Sequence, residues 1–271
     1  MYEGRLPNGW ILAIKKLFDS KQYRRQFLLE IRILGKYRHR NIVPLLGFCV
    51  EGNERILVYQ FMSNGRLSKW LRPLEGELTL KWPQRIKVAL GVARALSWLH
   101  HICNLHVVHL NISSECVLLD KNFEPKLSNF GGAKFVNPNI QDDASTMFYV
   151  SDGKKDVYDF GSLLLELITG KTLKELSSSF NTTTTNLSGN PSNFINAIDE
   201  SLIGEGFQNE VYTLIKVACN CVQPFADERP TMLEVYDTLM DMWGQRQRYS
   251  DGSHALNLAV SSASINEIAD L

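Results

Sequence analysis

The sequence predicts an α+β fold in two lobes, a small one built from strands and a helix, followed by a mainly helical one. Three observations predict it. The alternating stretch "WILAIKKL" (residues 10–17) runs directly into "YRRQFLLEIRILGKY" (23–37), where Phe27, Ile31 and Leu34 recur at helical spacing. From Trp82 to His100, Ile86, Ala89, Leu90, Ala93, Leu96 and Leu99 follow the 3.6-residue period of a long amphipathic helix. "DVYDFGSLLLELIT" (156–169) is apolar nearly all round, which suits a helix inside a core.

The elements between these anchors follow from local chemistry. "RILVYQF" (55–61) has the composition of a buried strand, and Asn64-Gly65 after it is a turn signal. The lobe boundary is therefore expected near residues 60–65, with a first lobe over 1–62 and a second over 63–243. Pro83 opens the long helix where a missing N–H costs little, and Gly170 is a stop signal for the buried one. The Ser-, Thr- and Asn-rich residues 171–193 bury too little to order themselves and are expected to form a flexible surface insert. Helices resume around "NEVYTLIKVACNCV" and in "TMLEVYDTLMDMW", where Thr231 and Glu234 have capping-box spacing. The tail, 244–271, loses periodicity and is expected to be disordered; no internal repeat is present.

Composition narrows the function classes. At 271 residues the chain can bury a substantial core. Lys+Arg and Asp+Glu both number 29, so no global field draws the chain to nucleic acid or anionic lipid. Five cysteines without a C-x-x-C pair suit free thiols in a reducing compartment better than a disulfide framework. No apolar run approaches the roughly 18 residues of a membrane span, and "MYEGRLPNGW" has no signal-peptide core, so the chain as given reads as cytoplasmic.

The phrases "LPNGWILAIKKL", "YRHRNIVPLLGFC", "ILVYQFMSNGRL", "VVHLNISSECVLLD", "DVYDFGSLLLELITG" and "ADERPTM" come in an order that resembles a protein kinase domain, in particular that of plant leucine-rich-repeat receptor-like kinases. The resemblance covers residues 2 to about 243. It implies a two-lobed kinase-like fold whose N-terminal β lobe is truncated, because no G-x-G-x-x-G precedes Lys15. It also implies that Lys15 in "LAIKK" pairs with Glu30 of the following helix, and that His109 and Phe130 belong to a packed internal column.

The chemical positions depart from the family. Active members carry H-R-D-L-x-x-x-N and D-F-G. Aligned on His109, Asn111 takes the place of the aspartate that accepts the hydroxyl proton, and an amide has no basicity at neutral pH. Ser113 matches the loop lysine, and Cys116 matches the asparagine that holds the second Mg²⁺, a soft donor for a hard cation. Asn129 of "NFG" removes the charged metal ligand, and Leu110 removes the arginine that grips a phosphorylated loop. No A-P-E motif lies between Gly131 and Asp156, so Arg229 is expected to lack that motif's glutamate as a partner.

Three readings stay open on the sequence. The leading one is a pseudokinase that binds an active receptor-like or co-receptor kinase domain, with no intact catalytic residue, no metal, and ATP/Mg bound at most weakly around Lys15, Glu30 and Asn129. It would lie on the cytoplasmic face of the plasma membrane if a span precedes it. The second is a weak or unconventional phosphotransferase that would recruit another acid such as Asp120, although Asp120 also suits the end of a strand turn. The third is a fragment of a receptor-like kinase without an independent role.

Overall fold

The computed structural model describes residues 1–18, 20–74, 78–136, 143–179, 192–202 and 207–244. Strands β1 (Tyr2–Arg5), β2 (Ile11–Phe18), β3 (Leu45–Glu51) and β4 (Glu54–Gln60) form an antiparallel sheet in the order β1-β2-β4-β3. Lys15 pairs with Leu57 across the sheet centre, and β3 is an edge strand. Helix α1 (Lys21–Lys36) follows β2; the Ser20 hydroxyl caps it by accepting from the Tyr23 N–H at 3.2 Å, satisfying an otherwise orphan donor. It buries Phe27, Ile33 and Leu34 together with one charged residue, Glu30.

The chain leaves this sheet through a turn closed by the Gly65 N–H on the Met62 carbonyl, 3.0 Å. Beyond it, β5 (Gly65–Arg66), β7 (Val117–Leu119) and β8 (Pro125–Leu127) form a small sheet, and β6 (His106–Val108) pairs with β9 (Lys134–Val136). Helix α2 (Leu67–Leu71) is short, and α3 (Trp82–Ser97) is long and mostly buried, with the Gln84 side chain accepting from the Lys81 N–H at 3.0 Å at its start. The strands and helices thus form the expected two-lobed α+β arrangement. Where the apolar period ran to His100, the last turn widens into a π-turn over Trp98–Ile102 that carries His100.

Three further elements correct or complete the reading of the sequence. Helix α4 spans Asp143–Thr169, thirteen residues earlier than the apolar pattern indicated. Extending a formed helix adds one hydrogen bond per residue with no new nucleus, so a segment without apolar periodicity can continue one. Its far end is where expected: Gly170 has φ +69° and its N–H bonds the Glu166 carbonyl at 2.9 Å. The segment expected to be a flexible insert is helical at both ends. Helix α5 (Leu173–Ser179) buries Leu173 and Leu176 and begins with Thr172 and Glu175 capping each other's N–H, while α6 (Ser192–Ile195) buries Phe194. Residues 180–191, and the tail beyond Gly244, lie outside the described residues.

Helix α7 (Gln208–Cys221) packs on α4, and a last helix, α8, runs over residues 232–244. Its capping box is present: the Glu234 carboxylate accepts from the Thr231 N–H at 2.7 Å and the Thr231 hydroxyl from the Glu234 N–H at 3.3 Å. All five cysteines are free, four of them buried. Among the described residues no helix is long and apolar enough to cross a membrane.

The seam between α1 and α3 carries a titratable device. His39 stacks on Trp98 with ring centroids 5.1 Å apart, and its pKa falls from 6.5 to about 4 through burial first, then through Arg94, Arg40 and Lys126. The unfolded chain therefore takes up this proton before the folded one does. The stability it contributes is complete above pH 6.5 and is lost as pH falls toward 4. Urea midpoints measured between those limits should fall with acidification, and His39→Gln should flatten that slope; an unchanged slope counts against the assignment.

Candidate functional site

The site is built on a buried carboxylate. Asp156 in α4 is fully buried, and its oxygens accept from the backbone N–H groups of His109 at 2.7 Å and Leu110 at 2.6 Å. His100 Nε2 lies 2.9 Å from the same carboxylate. Burial opposes its ionisation, but the His100 hydrogen bond and charge, with the hydrogen bond from the His109 N–H, hold the carboxyl below the usual range. Asp156 thereby clamps the loop between β6 and β7 in a shape that local preference would not choose. Leu110 sits at φ +64°, a region that costs a residue with a Cβ of order 1–3 kcal/mol.

His109 is fully buried, its Nε2 lies 2.9 Å from the Ser128 carbonyl, and its ring meets Phe130 edge-on at 4.7 Å. Burial lowers its pKa, so the ring is neutral; Nε2 donates to Ser128, and Nδ1, buried, has no partner among the described residues. The expected packing of His109 with Phe130 is present.

The loop held in this way has Asn111, Ser113 and Cys116 at the positions matched to the family pattern, and its one carboxylate, Glu115, pairs with Arg66 at 3.0 Å. Asn111 is exposed at the position where a base would act. Ser113 and Cys116 are engaged with each other: the Cys116 thiol donates to the Ser113 carbonyl at 3.1 Å and accepts from the Ser113 N–H at 3.2 Å. Burial pushes that thiol up to about 12, so it rests protonated and hydrogen-bonded within its own loop. Asn129 is exposed in the left-handed region (φ 68°, ψ 51°), which Asn tolerates better than most residues, and opens the turn carrying Phe130. Asp120, the carboxylate considered as a substitute, is committed to the turn between β7 and β8, accepting from the Asn122 and Glu124 N–H groups at 2.8 and 3.0 Å.

On the opposite wall, the pairing inferred for Lys15 and Glu30 is present as an ion pair with Glu30 almost fully buried. Tyr59 of β4 donates its hydroxyl to the other Glu30 oxygen, and burial first, then Glu30, raises the tyrosine pKa, keeping it protonated. Glu30 is thus satisfied on both oxygens. Gly131 lets the loop approach α1 closely: a Cβ there would lie 3.0 Å from Gln26 Cβ and 3.1 Å from Glu30 Oε1.

Divalent metal with nucleotide does not fit these residues. The two positions facing it are a neutral amide, Asn129, and a protonated thiol turned into its own loop, Cys116. Among the described residues no group of three or more His, Cys, Asp or Glu could hold a metal ion. Among the described residues matched to the family's ligand site, Lys15 carries a positive charge, paired with Glu30.

Sequence reasoning missed Asp156, Tyr59 and His100. Asp156 read as the start of a helix and Tyr59 as one more apolar strand residue; only long-range contacts give them roles. Arg229 does have partners. Its guanidinium donates to the carbonyls of Gln223 (2.7 Å), Lys154 (3.0 Å) and Pro224 (3.1 Å) and lies over the Tyr158 ring at 4.9 Å, so backbone acceptors serve it instead of a carboxylate.

Comparison with known proteins agrees with this geometry. An Arabidopsis thaliana protein named "Probably inactive leucine-rich repeat receptor-like protein kinase" is 42% identical over 271 aligned positions, covering 88% of this chain and 44% of the relative. A second from that plant, "Probable LRR receptor-like serine/threonine-protein kinase", is 35% identical with 93% and 45% covered. A third, "Probable inactive receptor kinase", is 36% identical with 89% and 44% covered. The chain spans less than half the length of these relatives. Residues 2–239 match the family model described as protein tyrosine and serine/threonine kinase, and the chain belongs to that family.

Proposed function

We propose that the chain is a pseudokinase, a kinase-shaped interaction module that binds the kinase domain of an active receptor-like or co-receptor kinase without transferring phosphate. The observation that carries this reading is the contrast within one loop. Asp156 holds the backbone at His109 and Leu110 in place, yet the loop presents Asn111, Ser113 and a hydrogen-bonded Cys116 where proton transfer and metal binding would need a carboxylate, a cation and a hard donor. Relatives whose names call them inactive support it, as does the buried helical core, which keeps the shape on which a protein contact would depend. In the cell, such a module would work at the cytoplasmic face of the plasma membrane, beside its partner.

The test is a binding measurement against a panel of purified active receptor-like kinase domains, with and without Mg-ATP. At least one should bind at a Kd of about 10 μM or tighter, and equally well to wild type and to Lys15→Ala, because the contact does not depend on the cleft. Binding by none of the panel, with the fold verified by circular dichroism, counts against the proposal.

A further inference from the structure

We infer that the outer face of α1, with the edge strand β3 beside it, is a docking surface for an anionic lipid leaflet. The zero net charge of the chain conceals a division. Residues 1–62 carry eleven Lys and Arg against five Asp and Glu, leaving eighteen against twenty-four in the other 209 residues, so the two parts bear +6 and −6. A leaflet of negative headgroups attracts the first part and repels the second, which orients the molecule as well as recruiting it.

The basic excess is concentrated on one surface. Lys21, Arg25, Arg32 and Lys36 lie on the solvent face of α1, opposite the buried Phe27, Glu30, Ile33 and Leu34, and Arg38 continues the line past the helix end; all five are exposed. Glu30 is the single acidic residue of α1, and it is consumed by Lys15 and Tyr59. Arg40 does not count toward this surface, because Glu124 takes it up at 3.2 Å. The helix extends about 24 Å, so its charges are spread over several headgroups rather than converging on one point ligand.

Apolar side chains complete the surface. Leu28, 57% exposed, lies between Arg25 and Arg32 on the same helix face. Leu46, Phe48 and Val50 of β3 are each at least 50% exposed, and the Phe48 ring lies 6.1 Å from that of Phe27, so this row borders α1 at its sheet-facing side, next to the basic face rather than on it. Basic side chains reaching headgroups and apolar ones entering the interface between them are the two components of peripheral membrane binding. A protein partner would call for acidic groups matched one by one, whereas a diffuse basic helix face flanked by apolar residues needs only a fluid anionic plane.

Co-sedimentation of the full chain with vesicles tests this, using phosphatidylcholine alone and phosphatidylcholine with about 30% phosphatidylserine, at an ionic strength of about 0.1 M. Binding is expected only with phosphatidylserine, and it should be lost at about 0.5 M salt. Each basic residue near such a surface contributes about a fivefold increase in partitioning, so Lys21→Glu, Arg25→Glu and Arg38→Glu together should reduce binding at least about a hundredfold. Lys121→Glu, Lys171→Glu and Lys174→Glu make the same change in net charge elsewhere and should leave it within about threefold. Equal losses in the two variants, or binding indifferent to phosphatidylserine, overturns the proposal. Lys21→Gln, Arg25→Gln and Arg38→Gln provide a milder variant should the charge reversal unfold the chain. The inference does not depend on the kinase-partner reading, and neither result bears on that one.

Discussion

Asp156→Ala should lower the stability of the protein by about 3–5 kcal/mol, the range for removing one partner of a buried, hydrogen-bonded charge. The carboxylate is fully buried and joins two backbone N–H groups and the His100 ring. Truncation leaves the His109 and Leu110 donors unsatisfied, at about 1–3 kcal/mol each, and frees Leu110 to leave its strained left-handed conformation. Since a domain of this size is stable by about 5–15 kcal/mol in total, the variant should unfold at a much lower urea concentration. Asp156→Asn keeps one acceptor but turns an N–H toward a second donor, so about half the loss is expected. A change below about 1 kcal/mol for the alanine variant would show that the loop does not depend on this clamp. The same carboxyl is held below its usual range, so its contribution is present above about pH 4 and is lost as pH falls through the lowered value, below the window in which His39 acts.

Those parts of the molecule that depend on period and spacing were legible in the sequence. The apolar stripes of α1 and α3, the stop at Gly170 and the capping box at Thr231 each express a rule operating within a few residues. Residues 143–155 have no such stripe, and their helix is visible only as the continuation of a buried one. In residues 171–193 the Ser- and Thr-rich composition outweighed Leu173 and Leu176, which with Phe194 just beyond are too sparse to make a pattern but sufficient to anchor two short helices. At the site, matching the loop to a family pattern singles out Asn111, Ser113, Cys116 and Asn129 as departures from that pattern. What holds the loop lies 46 and 47 residues away in Asp156, and what satisfies Glu30 lies 29 residues away in Tyr59; no local spacing rule reaches that far.

Returning the exchanged residues to the family pattern should restore metal-dependent nucleotide binding but only a small part of catalysis. In Asn111→Asp, Cys116→Asn, Asn129→Asp the backbone needs no rearrangement, because the loop is clamped by Asp156 and residue 129 already occupies the left-handed region that Asp also tolerates. Lys15 is in place on Glu30 to meet an anionic ligand. Wild type should show a negligible thermal shift with Mg-ATP, whereas the triple variant at tenfold over its Kd should gain about 1.4 kcal/mol, abolished by EDTA. Phosphoryl transfer asks for more than metal and base: groups that cover the phosphates and a platform that holds the acceptor. Six residues separate Val136 of β9 from the start of α4 at Asp143, and no A-P-E motif lies between Gly131 and Asp156. Loss of one preorganised donor set costs about 10²–10³ in rate, and loss of a general base about 10²–10⁴, so wild type should show no radiolabel transfer to a generic basic protein. The triple variant should recover the contribution of the base but remain at least about a hundredfold below an active relative. Transfer by wild type that disappears in Lys15→Ala would sink the pseudokinase reading. Full activity in the triple variant would instead show that the missing platform is dispensable, and that Asn111, Cys116 and Asn129 alone hold the protein inactive.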